Sequence, residues 1–174
     1  LDATVDLLGG YNCATWARTA TYGYPTFDGT NETVVQNGNY AESISTLVIS
    51  GSIDRSVVID GLTIQGAASG TNGAIAVVVQ GAAAPTISNN KIAGGATSGS
   101  TNPGTLGLYV SSTGAPDVTN NTIDGGSGST SAVTAGSMGV AVVTGAGLVH
   151  VHANTITGGT GTANASGGQG SYGL

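Results

Sequence analysis

The sequence predicts an all-β chain, a single-stranded right-handed parallel β-helix (a solenoid) with loops rich in Gly, Ser and Thr. Three observations carry this. Ten-residue segments beginning at Thr86, Asp117 and His150 can be superposed, at spacings of 31 and then 33 residues. Apolar and polar residues alternate within them with a period of two, which makes the units strands. Each unit is too small to bury its own apolar side, so units must stack on one another.

Residues 1–45 read as the start and cap of the solenoid, with Trp16, Tyr22, Tyr24, Phe27 and Tyr40 as an aromatic cluster over its end. Residues 46–174 read as the rungs of one continuous domain. The first rung is a divergent copy beginning at Val58, in which Ile64 stands where Ile92, Ile123 and Ile156 stand in the later copies. Runs at Ile75–Val79, Leu106–Val110 and Met138–Val142 supply another strand per rung, and Tyr172-Gly173-Leu174 opens a further one. Glycine-rich stretches such as 96–105 and 127–137 read as surface loops of variable length.

Stacking in register places equivalent residues about 4.8 Å apart. Ile92, Ile123 and Ile156 then form one inward ladder; Ile87, Val118 and Val151 form another, and Ile75, Leu106 and Met138 a third. Asn90, Asn121 and Asn154 coincide where the chain turns, so their amides are expected to bond from rung to rung, ending at Leu62. Ala76, Val78, Gly107, Tyr109, Gly139 and Ala141 read as a flat outward strip of small or apolar residues, a candidate association face.

Only 7% of residues are charged, against 31 glycines, so solubility must rest on Ser, Thr, Asn and exposed backbone. Three Lys and Arg against nine Asp and Glu give a net charge of -6, which excludes a nucleic-acid partner. No run approaches the roughly 20 apolar residues of a membrane helix, so membrane insertion is not expected. Leu1 is neither an initiator Met nor part of a leader, as in a chain processed or cut from something longer. Cys13 stands alone, so no internal disulfide can form; it reads as a buried side chain ahead of an external partner.

The AsnAsn-x-Ile-x-GlyGly repeats resemble those of the right-handed parallel β-helix superfamily that includes pectate lyases, over roughly residues 45 to 174. The resemblance implies the fold and says little about activity. Val5 to Asn12, followed by Trp16 and Arg18, resembles the start of secreted β-helix proteins of unknown role from predatory and soil bacteria. This resemblance implies an extracellular or cell-surface location.

A lyase or hydrolase would need clustered carboxylates with a nearby base. Here Asp60 aligns with Ser88, Thr119 and His152, while Asp124 aligns with Ala93 and Thr157, so the acids scatter. Lys91 aligns with Thr63, Thr122 and Thr155 on an outward polar face. No catalytic residue, cofactor site or calcium site is therefore expected. Asp117, His150 and His152 make a weak candidate metal site of the His-x-His kind, read in preference as a polar pair between rungs. Asn31, Asn120 and Asn164 begin glycosylation triplets.

The function expected from these residues is a non-catalytic extracellular structural protein, a rigid solenoid that associates with itself into a fibre or surface layer. An adhesin or carbohydrate-binding module is the first alternative. A degenerate polysaccharide lyase or hydrolase is the second.

Overall fold

In a computed structural model the described residues are 5–12, 14–15, 20–21, 24–25, 32–37, 45–67, 74–96, 104–127, 137–143, 145–160 and 173. Among them there is no helix. The first turn contains β1 (Leu7–Leu8), an antiparallel pair of β2 (Ala20–Thr21) and β3 (Tyr24–Pro25), then β4 (Thr33–Gln36) and β5 (Ser45–Ile49). Three complete turns follow. They are β6 (Val58–Asp60), β7 (Leu62–Gln65) and β8 (Ile75–Val79); β9 (Thr86–Ser88), β10 (Lys91–Ala93) and β11 (Leu106–Val110); and β12 (Asp117–Thr119), β13 (Thr122–Asp124) and β14 (Met138–Val142). A last turn is opened by β15 (His150–His152) and β16 (Thr155–Thr157), and Val140 N donates to Gly173 O at 2.9 Å.

Successive turns stack into three parallel sheets, ordered β1-β6-β9-β12-β15, β4-β7-β10-β13-β16 and β5-β8-β11-β14. The architecture is a parallel β-solenoid. β1 and β4, both ahead of residue 45, already pair with β6 and β7, so the N-terminal segment contributes wall strands. Cys13, Trp16, Tyr22, Phe27 and Tyr40 lie outside the described residues.

The register puts Val35, Ile64, Ile92, Ile123 and Ile156 in one column. Leu7, Ile59, Ile87, Val118 and Val151 form a second. Ile59, Ile64, Ile87, Ile92, Val118 and Ile123 have no exposed surface at all, each 0%. Each such side chain contributes about 1.5 to 3 kcal/mol through removal from water. Branching at Cβ suits these columns, because stiff side chains fill a pleated wall without losing rotamers.

The corner between the first two sheets is one residue in the left-handed region. Gly61, Asn89, Asn120 and Ala153 occupy that position on successive turns, with φ of 72°, 54°, 56° and 55°. Glycine and asparagine tolerate this backbone, which is why three of the four turns use them. Each is followed by the position of the asparagine column.

The third sheet corrects one expectation. Its strands do not keep strict alternation, because cross-strand pairing passes over Ala76, Gly107 and Gly139, where the strand bends. Ala76 is 0% exposed, and a Cβ on Gly107 would lie 2.7 Å from Ile123 Cγ2, so this column faces inward against the second sheet. Val77, Leu108 and Val140, the next residues, are also buried. Ile75, Leu106 and Met138, expected inside, are only half-buried.

Candidate functional site

The turn between the first and second sheets carries the most ordered polar array. Asn90 Nδ2 donates to Asn121 Oδ1 at 3.0 Å, and Asn121 Nδ2 donates to Asn154 Oδ1 at 3.0 Å. The same oxygens accept the backbone N–H one turn earlier: Leu62 N on Asn90 at 3.0 Å, Asn90 N on Asn121 at 2.9 Å, Asn121 N on Asn154 at 2.8 Å. Each amide nitrogen also reaches a carbonyl one turn earlier, on Ile59, Ile87 or Val118. The ladder therefore has a direction, with every side-chain oxygen serving the turn before it. Buried amides in such chains fix the register between turns.

Asp117, His150 and His152 meet on the outer face of the first sheet, but as a pair. Asp117 stands opposite His150 in the register, yet its carboxylate takes His152 Nε2 at 3.0 Å. His152 Nδ1 lies 3.3 Å from Thr119 Oγ1, so both ring nitrogens are engaged. Among the described residues no three His, Cys, Asp or Glu converge to hold a metal. The pair is open to water, with the His152 side chain 59% exposed, so its contribution to stability is below about 1 kcal/mol.

The other described acids are also tied into the wall. Asp60 is buried and accepts Ser88 Oγ and Asn89 Nδ2 from the next turn. Glu32 accepts Thr63 Oγ1, and Asp6 accepts Val58 N at 2.8 Å. Asp124 accepts Gly126 N at 2.6 Å and Thr157 Oγ1 at 2.5 Å. Asp54 accepts both N and Oγ of Ser56 in a tight turn, and the Ser56 hydroxyl holds this carboxyl below its usual range. Of the bases, Arg55 Nε donates to Ala115 O at 2.8 Å, two turns away, and Lys91 pairs in the wall with Thr63 and Thr122.

Two concavities lie on this frame. One is an open groove of about 390 Å³ along the second sheet, with Gln36, Gln65, Asp124, Ser127 and Thr160 among its walls. The other, about 450 Å³, opens at the last turn between Val140, Val142, Leu148, Val149 and Val151.

The expected association strip is divided by the bend in the third sheet. Ala76, Gly107 and Gly139 face inward and Val78 is 6% exposed, leaving Tyr109 and Ala141 as half-buried members. Asn120 is half-buried at the left-handed corner; Asn31 and Asn164 lie outside the described residues. A hydroxyl array had no counterpart in the sequence reading. Thr105 and Ser137 are fully buried, 2.9 Å apart, on adjacent turns, and Thr105 Oγ1 also donates to Gly125 O. The signal available was Thr105 and Ser137 at matching places before Leu106 and Met138.

No helix among the described residues is long and apolar enough to cross a membrane. Comparison with protein-family models, with curated proteins and with solved structures finds no match to this chain.

Proposed function

We propose that this chain is a non-catalytic extracellular scaffold, a rigid solenoid that associates with itself into a fibre or surface layer. The supporting observation is the use of its ionisable groups. Every acid among the described residues is committed to a wall or turn hydrogen bond, and none converges with a base around a cavity. General acid–base chemistry needs a positioned pair within reach of one substrate atom. Asp6, Glu32, Asp60, Asp117 and Asp124 instead tie one turn of the solenoid to the next, and Asp54 closes its own tight turn on Ser56.

The resemblance to the pectate-lyase-like superfamily fits this reading, because the fold is shared by proteins of many activities. A carbohydrate-binding or adhesive role draws on the open groove beside Gln36, Gln65 and Asp124. A degenerate lyase or hydrolase role draws on the resemblance alone.

Electron microscopy of the purified chain, beside an assay on polygalacturonate with calcium, tests the proposal. Regular assemblies with no turnover are expected. Cleavage of the polymer, or a monodisperse monomer at every concentration, would overturn it. Binding on a glycan array would favour the adhesive role.

A further inference from the structure

We infer that the open groove along the second sheet binds an uncharged, extended polysaccharide lying parallel to the solenoid axis, one sugar to a turn. This deepens the carbohydrate-binding reading and is independent of self-association, since a scaffold wall can carry a glycan whether or not copies join.

The groove is built by repetition. Its near rim is the column Gln36, Gln65, Ala93 and Asp124, one residue per turn in register. Its far rim is Ala96, Ser127 and Thr160, bridged in parallel from turn to turn. Between the rims the chain passes through Gly66, Gly94, Gly95 and Gly126. Packing between turns keeps this floor bare: a Cβ on Gly66 would lie 2.4 Å from Gly95 N, and one on Gly94 2.3 Å from Gly125 O. What remains is a trough of about 390 Å³ whose rims cover four turn-to-turn steps, about 19 Å at the strand spacing.

The rims offer hydrogen-bonding groups that the fold does not use. Among the described residues, the side-chain amides of Gln36 and Gln65 and the hydroxyls of Ser127 and Thr160 have no partner on the chain. The bonds that reach Gln65 and Thr160 from Thr46 and Ser137 go to their backbone carbonyls. Gln36, Ser127 and Thr160 are exposed and Gln65 is half-buried. The contrast is with Asn90, Asn121 and Asn154, whose amides are spent inside the wall. Neutral donors and acceptors repeated along an open trough suit a ligand that is itself a repeat of hydroxyl groups. An extended pyranose chain advances by close to one rung per sugar, so successive sugars meet equivalent groups on successive turns.

Charge selects a neutral polymer over an acidic one. Asp124 is the one ionisable residue among the described lining, and both its oxygens are taken, by Gly126 N at 2.6 Å and Thr157 Oγ1 at 2.5 Å. No Lys, Arg or His among the described lining residues receives a carboxylate, and a net charge of -6 repels one.

Titration with cellohexaose, mannohexaose and N-acetylchitohexaose, beside hexagalacturonate, followed by backbone amide NMR, tests the assignment. Saturable shifts at Gly95, Ala96, Gly126 and Ser127 are expected with at least one neutral hexaose and none with hexagalacturonate. Affinity for that neutral series should climb with length and level off at about five sugars, one to a turn. Gln36→Ala combined with Gln65→Ala should weaken binding about tenfold, through the loss of two hydrogen-bonding groups, and keep the β circular dichroism spectrum of the parent. Ala93→Phe, which fills the middle of the trough, should abolish binding. Thr122→Ala, on the same sheet but outside the trough, should leave it unchanged. No binding of any neutral hexaose, equal binding of hexagalacturonate, or binding indifferent to the Gln36 and Gln65 double variant would overturn the inference. Assemblies in the electron microscope without glycan binding would overturn it and leave the scaffold standing; a glycan-binding chain that stays monomeric would do the reverse.

Discussion

Asn121 Nδ2 and Asn121 N both donate to the single side-chain oxygen of Asn154, at 3.0 and 2.8 Å. One oxygen thus satisfies a backbone group and a side-chain group of the preceding turn. Asn121 does the same for Asn90, but there the site is closed: Asn90 is 0% exposed and Asn121 2%. Losing the acceptor at Asn121 leaves buried donors with no water to replace it.

Asn121→Ala is therefore expected to cost about 2 to 4 kcal/mol, leaving Asn90 N without its acceptor and Asn90 Nδ2 with only the Ile59 carbonyl, and removing a side-chain donor from the Ile87 carbonyl. Asn154→Ala, at the half-buried end of the ladder, should cost about 1 kcal/mol, since water reaches part of that site. Urea unfolding followed by circular dichroism gives both values. Equal losses at the two positions would contradict the view that burial sets the strength of the ladder.

At the bend of the third sheet the constraint is steric. A methyl group on Gly107 would meet Gly139 O at 2.7 Å, Ile123 Cγ2 at 2.7 Å and Asp124 O at 2.8 Å, and two of these are backbone atoms that cannot turn aside. Gly107→Ala should destabilise the chain by about 1 to 3 kcal/mol. The same change at Gly145, where a Cβ would meet nothing within 4 Å, meets no packing obstacle and carries only the strain of its φ of 90°. Thermal unfolding of the two variants compares crowding with backbone strain.

The repeats made the stacking legible because solenoid registry is a sequence property. Ile92, Ile123 and Ile156 share a column for the same reason that they align, each lying two residues after an asparagine and two before a Gly-Gly pair. The asparagine column was legible by the same alignment. The facing of Gly107 was not, because alternation assumes a straight strand, and a bend lets two neighbouring residues point inward. Nor does alignment say which partner a flexible side chain selects. Asp117 lines up with His150, but its carboxylate reaches diagonally to His152. Cross-strand diagonals lie within reach of long side chains, so the choice depends on rotamers that no alignment contains.

The Asp54 turn gives a pH-dependent expectation. Its carboxyl is lowered from 3.8, chiefly by the Ser56 hydroxyl and next by the Ser56 backbone N–H. A depressed folded value means that the stabilisation is present above the unfolded value and is lost as pH falls through the folded one. Ser56→Ala removes the larger cause, so the Asp54 carboxyl should titrate closer to 3.8, as carbon NMR of the side chain would show. An unmoved titration would mean that the backbone donor alone holds the proton off.

The corner column offers a gain of stability. Ala153 holds a φ of 55°, in the place that Gly61, Asn89 and Asn120 occupy on other turns. A left-handed alanine costs about 1 to 2 kcal/mol through the closeness of its Cβ to the backbone oxygen. Ala153→Asn keeps a side chain and adopts the residue used at the two preceding corners, so it should raise stability by about 0.5 to 1 kcal/mol. Ala153→Gly relieves the same strain but frees the unfolded chain, which offsets about 0.4 to 1 kcal/mol of the gain. The expected order of unfolding midpoints is therefore Asn above Gly, and Gly level with or above the parent. The reverse change, Asn120→Ala, should lose about as much as Ala153→Asn gains. An Ala153→Asn variant no more stable than the parent would show that this corner relaxes out of the left-handed region in solution.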